Sequence, residues 1–165
     1  MQLRACEETQ THLPFDRLMP YACVQIQQLL HARWLQQDRT ARRIEHLLLD
    51  SRSVAAPATS LFFAIVGQRH DGHRFVEAAY RAGVRQFVVS RQIDVADLPE
   101  ADVLLVPDTL AALQALAAHH RGQFHLPVIG ITGSNGKTVV KEWLYQLAHH
   151  LYRTVRSPKS YNSQI

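Results

Sequence analysis

Three of the chain's seven glycines fall within seven residues, at Gly130, Gly133 and Gly136, and Lys137 and Thr138 follow at once. Glycine adopts positive φ angles and lets backbone N–H groups approach a ligand closely. A lysine beside such a loop reaches the outer phosphates of a polyphosphate, and the next hydroxyl can ligate Mg²⁺. The stretch Gly130-Ile131-Thr132-Gly133-Ser134-Asn135-Gly136-Lys137-Thr138 therefore suits a triphosphate such as ATP. Gly133, Ser134, Asn135 and Gly136 would form the cradle, Lys137 the catalytic cation and Thr138 the metal ligand. The general phosphate-loop pattern wants glycine where Ile131 stands, and Gly130 and Gly133 flank that position instead. A glycine-rich turn that merely caps a helix is the competing reading.

A loop of this kind needs a strand before it and a helix after it. Val128–Ile131 is apolar and reads as part of a strand over 127–132. From Lys137 to Leu151, Val140, Trp143, Leu144, Leu147 and Leu151 recur at helical spacing. Upstream, Val24–Leu35 has roughly helical periodicity and Arg42–Leu49 reads as a short strand. Leu61–Val66, Val84–Val89 and Val103–Val106 read as buried strands. A helix is expected over 75–82, stopped by Gly83, and another over 109–120, ended by Gly122. Alternating strands and helices predict an α/β architecture with parallel pairing.

Two polar clusters follow predicted strands: Asp50-Ser51-Arg52 after Leu49, and Asp71-Gly72-His73 after the run ending at Val66 and Gly67. Taken alone, each is an ordinary turn. The charge is unevenly spread. Residues 1–108 carry 12 Lys and Arg against 13 Asp and Glu, whereas residues 109–165 carry six against the single acid Glu142. An anionic ligand is thus expected in the last third.

Other classes are disfavoured. The longest apolar run, Leu61–Val66, is far short of a membrane span, and no signal-peptide layout opens the chain. Two cysteines make no disulfide framework, which fits a reducing cytoplasmic setting. The ten histidines include two adjacent pairs, which diverge by about 100° on a helix and form no metal face. No aromatics interleave with the basic residues as a nucleic-acid surface would want.

Gly-Ile-Thr-Gly-Ser-Asn-Gly-Lys-Thr resembles the variant phosphate loop of the Mur ligases, the ATP-dependent amide-bond-forming enzymes of peptidoglycan precursor synthesis. The series Asp50-Ser51-Arg52, Leu61–Gly67, Asp71-Gly72-His73-Arg74-Phe75 and Ala78-Ala79 through Gly83 resembles the same family's N-terminal domain. Ser157-Pro158-Lys159-Ser160-Tyr161-Asn162-Ser163-Gln164-Ile165 is similar to the segment after the phosphate-loop helix in the D-alanyl-D-alanine-adding branch, nearest to the form fused to an alanine racemase. The resemblance implies a fold: a small N-terminal substrate-binding α/β domain followed by the first βαβ portion of a P-loop ATPase domain. It implies a flexible extension over 1–18, a UDP-muramoyl-peptide-binding domain over 19–107, a connector helix within 108–126 and the start of the ATP-binding domain over 127–165.

The same resemblance implies function. ATP and Mg²⁺ would sit on Ser134–Thr138. UDP-N-acetylmuramoyl-peptide would lie near Asp50, Ser51, Arg52, Asp71, Gly72 and His73. The partner substrate would be D-alanyl-D-alanine, joined through an acyl-phosphate. After the phosphate loop the chain offers Mg²⁺ no carboxylate except Glu142, so a fragment inactive by itself is expected, needing the C-terminal part of the same enzyme. A small self-sufficient P-loop NTPase, or a non-catalytic nucleotide-binding module, is the alternative.

Overall fold

The structure, a computed structural model, describes residues 21–38, 40–52, 54–67 and 70–157. The expectations for residues 1–18 and for the tail from Pro158 onward lie outside them. The chain divides into two units, one ending at Arg121 and the other beginning at Gly122.

The first unit is built on five strands in the order β2-β7-β6-β5-β4. They are β2 (Arg33–Gln36), β4 (His46–Leu48), β5 (Ser60–Phe63), β6 (Gln86–Val89) and β7 (Asp102–Leu105). β4, β5, β6 and β7 are mutually parallel, and β2 closes the β7 edge antiparallel. A small antiparallel pair, β1 (Tyr21–Ala22) with β3 (Arg43–Ile44), lies apart from this sheet.

Every residue of β5 and β6 is buried. That explains their near-continuous apolar character, since a parallel strand is covered on both faces. Successive side chains point to opposite faces. Leu61, Phe63, Val88 and Leu104 meet Cys23 and Ile26 of α1 (Cys23–Leu30) and Ala112 and Leu116 of α3 (Thr109–Gly122). Phe62, Phe87, Val89 and Val103 meet Val76 and Ala79 of α2 (Val76–Arg81). The result is a three-layer α/β/α arrangement.

Three sequence expectations need revision. The helix expected through Leu35 ends at His31, which takes the left-handed conformation at φ 49°. Residues 33–36 become a strand because Trp34 packs into one face's core and Leu35 into the other's, a period of two. The Arg42–Leu49 strand is two short strands, β3 and β4. The helix read as a connector packs onto the first unit. Thr109 is buried and its hydroxyl donates to the Ala64 carbonyl at 3.1 Å, while Leu116 enters the core.

A polar inlay interrupts this core. Gln86 and Asp102 are register partners on β6 and β7, and both are buried. Burial pushes the Asp102 carboxyl above its ordinary range, although the Asp38 backbone N–H donates to Oδ1 at 2.9 Å and Arg42 lies nearby. A carboxyl raised in the folded state adds stability below its unfolded value, about pH 4, and loses it as the pH rises through the folded value. At pH 7 the buried charge therefore costs stability. Asp102→Asn keeps the acceptor for Asp38 and removes the charge. Urea denaturation should show the variant more stable than the parent at pH 7, with the advantage shrinking below about pH 4. A parent that is the more stable of the two at pH 7 would refute this account.

Candidate functional site

In open α/β sheets, ligands collect where the C-terminal ends of parallel strands open into loops. Both polar clusters singled out in the first unit lie there. β4 ends at Leu48 and leads to Asp50, Ser51 and Arg52; its neighbour β5 ends at Phe63 and leads to Asp71, Gly72 and His73.

The Asp50–Arg52 turn is tightly self-paired. Asp50 Oδ1 accepts from the Arg52 backbone N–H and from Nε, both at 2.9 Å, and Oδ2 accepts from Nη2 at 2.7 Å. The Arg52 side chain, and then its backbone N–H, lower the Asp50 carboxyl to about 2. The turn therefore presents a fixed ion pair to solvent rather than a lone charge.

The second cluster rests on a close backbone approach. Gly67 N–H donates to the His70 carbonyl at 2.8 Å, and Gly72 N–H donates to the Ile65 carbonyl at 2.8 Å. This folds the segment back on the end of β5. A Cβ on Gly72 would lie 2.6–2.8 Å from backbone atoms of Ala64 and Ile65, so only glycine fits. Gly72 thus acts by letting the loop close.

Asp71 then starts a short 3₁₀ turn, Gly72–Phe75, by accepting from the His73 backbone N–H at 3.0 Å. The His73 ring turns inward, with a side chain only 1% exposed. Its Nε2 accepts from the Ser90 backbone N–H at 3.0 Å, so the ring proton sits on Nδ1, which donates to Asp71 Oδ1 at 2.7 Å. Both ring nitrogens are engaged within the fold. His73, a sequence candidate for substrate contact, therefore positions the loop from beneath. The backbone bond from His73, then its ring, and Arg91 hold the Asp71 carboxyl below its ordinary range.

The sequence reading passed over Ser90 and Arg91, which follow β6 directly. Arg91 Nη2 pairs with Asp71 Oδ2 at 2.8 Å. The available signal was positional: Ser90-Arg91 follows an apolar strand just as Ser51-Arg52 does.

In the second unit Gly133 has φ 143° and Gly136 φ 77°, values that favour glycine at both positions. Gly136 is the residue before α4 (Lys137–Ala148). Lys137 Nζ folds back to donate to the Gly133 carbonyl, with the Ser134 carbonyl at 3.5 Å. Ser134 and Asn135 form the bend between the two glycines, and Thr138 is the second residue of α4. An ammonium group, a helix N-terminus and a glycine-permitted bend thus share one short segment, which fits an anionic phosphate.

The strand expected at 127–132 is absent; the described residues there form no ladder. A parallel strand draws its hydrogen bonds from neighbouring strands, and the described residues supply none in this unit. Glu142 is also occupied. It pairs with Arg156 and, at 3.2 Å, with Lys141 Nζ, while Arg156 stacks over the Tyr145 ring. The fit to a magnesium ion is therefore partial: the segment contains Thr138, a residue type that can ligate it, but the described residues gather no cluster of three or more His, Cys, Asp or Glu. No helix among them is long and apolar enough to cross a membrane.

A parallel α/β unit followed by a glycine-Lys-Thr turn at a helix N-terminus is the arrangement of a nucleotide-binding α/β protein. Residues 43–121 match the family described as "Mur ligase family, catalytic domain", and the chain belongs to the Mur ligases. Within that family it resembles the N-terminal part of the UDP-N-acetylmuramoyl-tripeptide–D-alanyl-D-alanine ligases. It is 42% identical over 106 residues to the enzyme of that name from Bacillus subtilis, covering 64% of this chain and 23% of the relative. The crystal structure of MurF from Acinetobacter baumannii superposes with a TM-score of 0.69 at 36% identity, over 81% of this chain and 28% of that one. MurF from Thermotoga maritima in complex with ADP gives 0.55 at 34% identity, over 65% of this chain and 24% of that one. The chain thus spans about a quarter of the length of the relatives that it matches.

The loop geometry makes one position intolerant. Gly72→Ala should destabilise the chain by about 1–3 kcal/mol, the usual cost of forcing atoms into a packed site. Urea denaturation measures it, and a variant as stable as the parent would refute the close approach of Gly72 to β5.

Proposed function

We propose that this chain is the N-terminal portion of an ATP-dependent ligase that joins UDP-N-acetylmuramoyl-tripeptide to D-alanyl-D-alanine. The observation that carries the reading is order along the chain. An α/β unit with polar loops at its strand ends precedes a glycine-Lys-Thr loop at a helix N-terminus, and ligases of this name match up to 81% of the chain. In this reading the loops at Asp50–Arg52 and Asp71–Gly72 border the uridine-nucleotide end of the muramoyl-peptide, with His73 fixing the second loop.

Gly133–Gly136 would cradle the phosphates of ATP, Lys137 would exchange its loop carbonyls for phosphate oxygens, and Thr138 would contribute to Mg²⁺. Bound ATP supplies the phosphoryl group that activates the substrate carboxylate, and phosphate leaves when the amine attacks. This chain's share is positioning and charge neutralisation. The carboxylates that complete the metal site, and the site for D-alanyl-D-alanine, would come from further residues of the same cytoplasmic enzyme.

Titration calorimetry with ATP–Mg²⁺ and with UDP-N-acetylmuramoyl-tripeptide tests this on the chain itself. Both should bind, each without the other. Lys137→Ala should weaken ATP roughly tenfold or more, by loss of charge-assisted contacts, and leave the uridine nucleotide unchanged. Binding of ATP with equal affinity by parent and variant, or failure of the uridine nucleotide to bind, would overturn the proposal.

A further inference from the structure

One imidazole controls the geometry around Arg91 from two directions. His73 Nε2 accepts from the backbone N–H of Ser90, which fixes the main chain one residue before Arg91. His73 Nδ1 donates to Asp71 Oδ1, which leaves Oδ2 of that carboxylate for the Arg91 guanidinium at 2.8 Å. The ring itself is buried, so the device is anchored in the core. The Arg91 side chain remains 59% exposed, against 27% for Asp71. A cation is thus held at both its backbone and its head, yet keeps most of its surface toward solvent.

Stability gives little reason for such an arrangement, because an exposed ion pair contributes little to it. Position gives a better one. β6 lies between β5 and β7, and Arg91 follows the C-terminal end of β6, on the sheet edge where open α/β folds take ligands. On the far side of β5, the β4 end carries Arg52. Arg52 gives Nε and Nη2 to Asp50, whereas the contact of Arg91 with Asp71 runs through Nη2. A guanidinium offers five N–H donors in a planar fork that matches phosphate oxygens. Neighbouring strands are about 4.8 Å apart, so the two arginine-bearing strand ends are roughly 10 Å apart, a span suited to one nucleotide.

We propose that Arg91 is a substrate-binding residue that contacts the diphosphate of a nucleoside diphosphate at the C-terminal edge of this sheet, with Asp71 and His73 as its positioning residues. The inference rests on the reading that this unit takes the uridine-nucleotide end of the substrate, and it names the residue that reads the phosphates. Pre-organisation is the purpose of the clamp: a guanidinium fixed before binding has less freedom to lose on binding. Asp71 orients the fork through its Nη2, while the other Asp71 oxygen is held by His73.

The test is an NMR titration of the full 165-residue chain with UDP, UMP and uridine, a method that also reads weak affinities. The parent should bind UDP more tightly than UMP, and UMP more tightly than uridine. Arg91→Ala should weaken UDP roughly tenfold, bring it near UMP, and leave uridine unchanged, with an otherwise parental amide spectrum. Arg91→Lys should recover part of the loss, because charge is restored without the fork. Asp71→Asn should weaken UDP selectively and by less than Arg91→Ala. UDP affinity unchanged in Arg91→Ala, with the parent binding normally, overturns this proposal alone. A loss equal for UDP and uridine also overturns it, because that marks a merely structural role. A parent that binds none of the three overturns both this proposal and the reading beneath it.

Discussion

Parallel pairing of β4, β5, β6 and β7 is the constraint on which the first unit depends. A chain that leaves one parallel strand cannot turn straight into the next; it must cross over and return to the starting edge. Each crossover therefore begins at the same edge, and the loops that begin them are gathered there whatever their distance in sequence. Asp50, Asp71 and Arg91 follow three adjacent strands, so topology rather than local preference makes them neighbours along the edge. The same pairing demands helices on both faces, which explains why α1 and α3 cover one side and α2 the other.

Within that edge the polar groups are ordered by a few directed bonds. Gly72 admits the loop onto the end of β5, Asp71 caps the turn, and His73 carries the restraint across to β6. Each step needs a different residue type: no Cβ, a carboxylate, and a ring that donates at one nitrogen while it accepts at the other. The histidine is the hinge of this logic. A side chain that looks like a ligand in a list of polar residues serves here as a brace between two strand ends.

The second unit obeys a different rule. Its glycine-Lys-Thr loop takes form from two glycine conformations, a helix N-terminus and a lysine that reaches its own loop, all within a few residues. Such geometry is local and does not wait for a sheet. The apolar stretch before it is another matter, because a strand exists only through its neighbours. The basic surplus of the last third also fits the loop: Glu142 is held by Lys141 and Arg156, so no free acid opposes an incoming phosphate from that position. In this unit the described residues bring together a lysine, a helix N-terminus and two glycine-permitted turns, and gather no cluster of three or more metal-ligating side chains.

What depends on near neighbours and on burial is legible in the order of residues. The apolar runs around Leu61, Phe87 and Val103 announced the three central strands, because strands covered on both faces tolerate little polarity. Gly83 and Gly122 marked the ends of α2 and α3, helical spacing announced α4, and the glycines before Lys137 announced a tight turn at its N-terminus. Tertiary structure alone decided what depends on distant partners. Arg33–Gln36 is a strand because β7, some seventy residues later, offers it an edge, and no periodicity over four residues could outweigh the helix before it. His73 points inward because Ser90 supplies an N–H, and Arg91 is held beside the Asp71 turn because that carboxylate lies across from it. Residues 127–132 are no strand despite an apolar sequence, since the ladder that would hold them requires partners which these residues cannot supply.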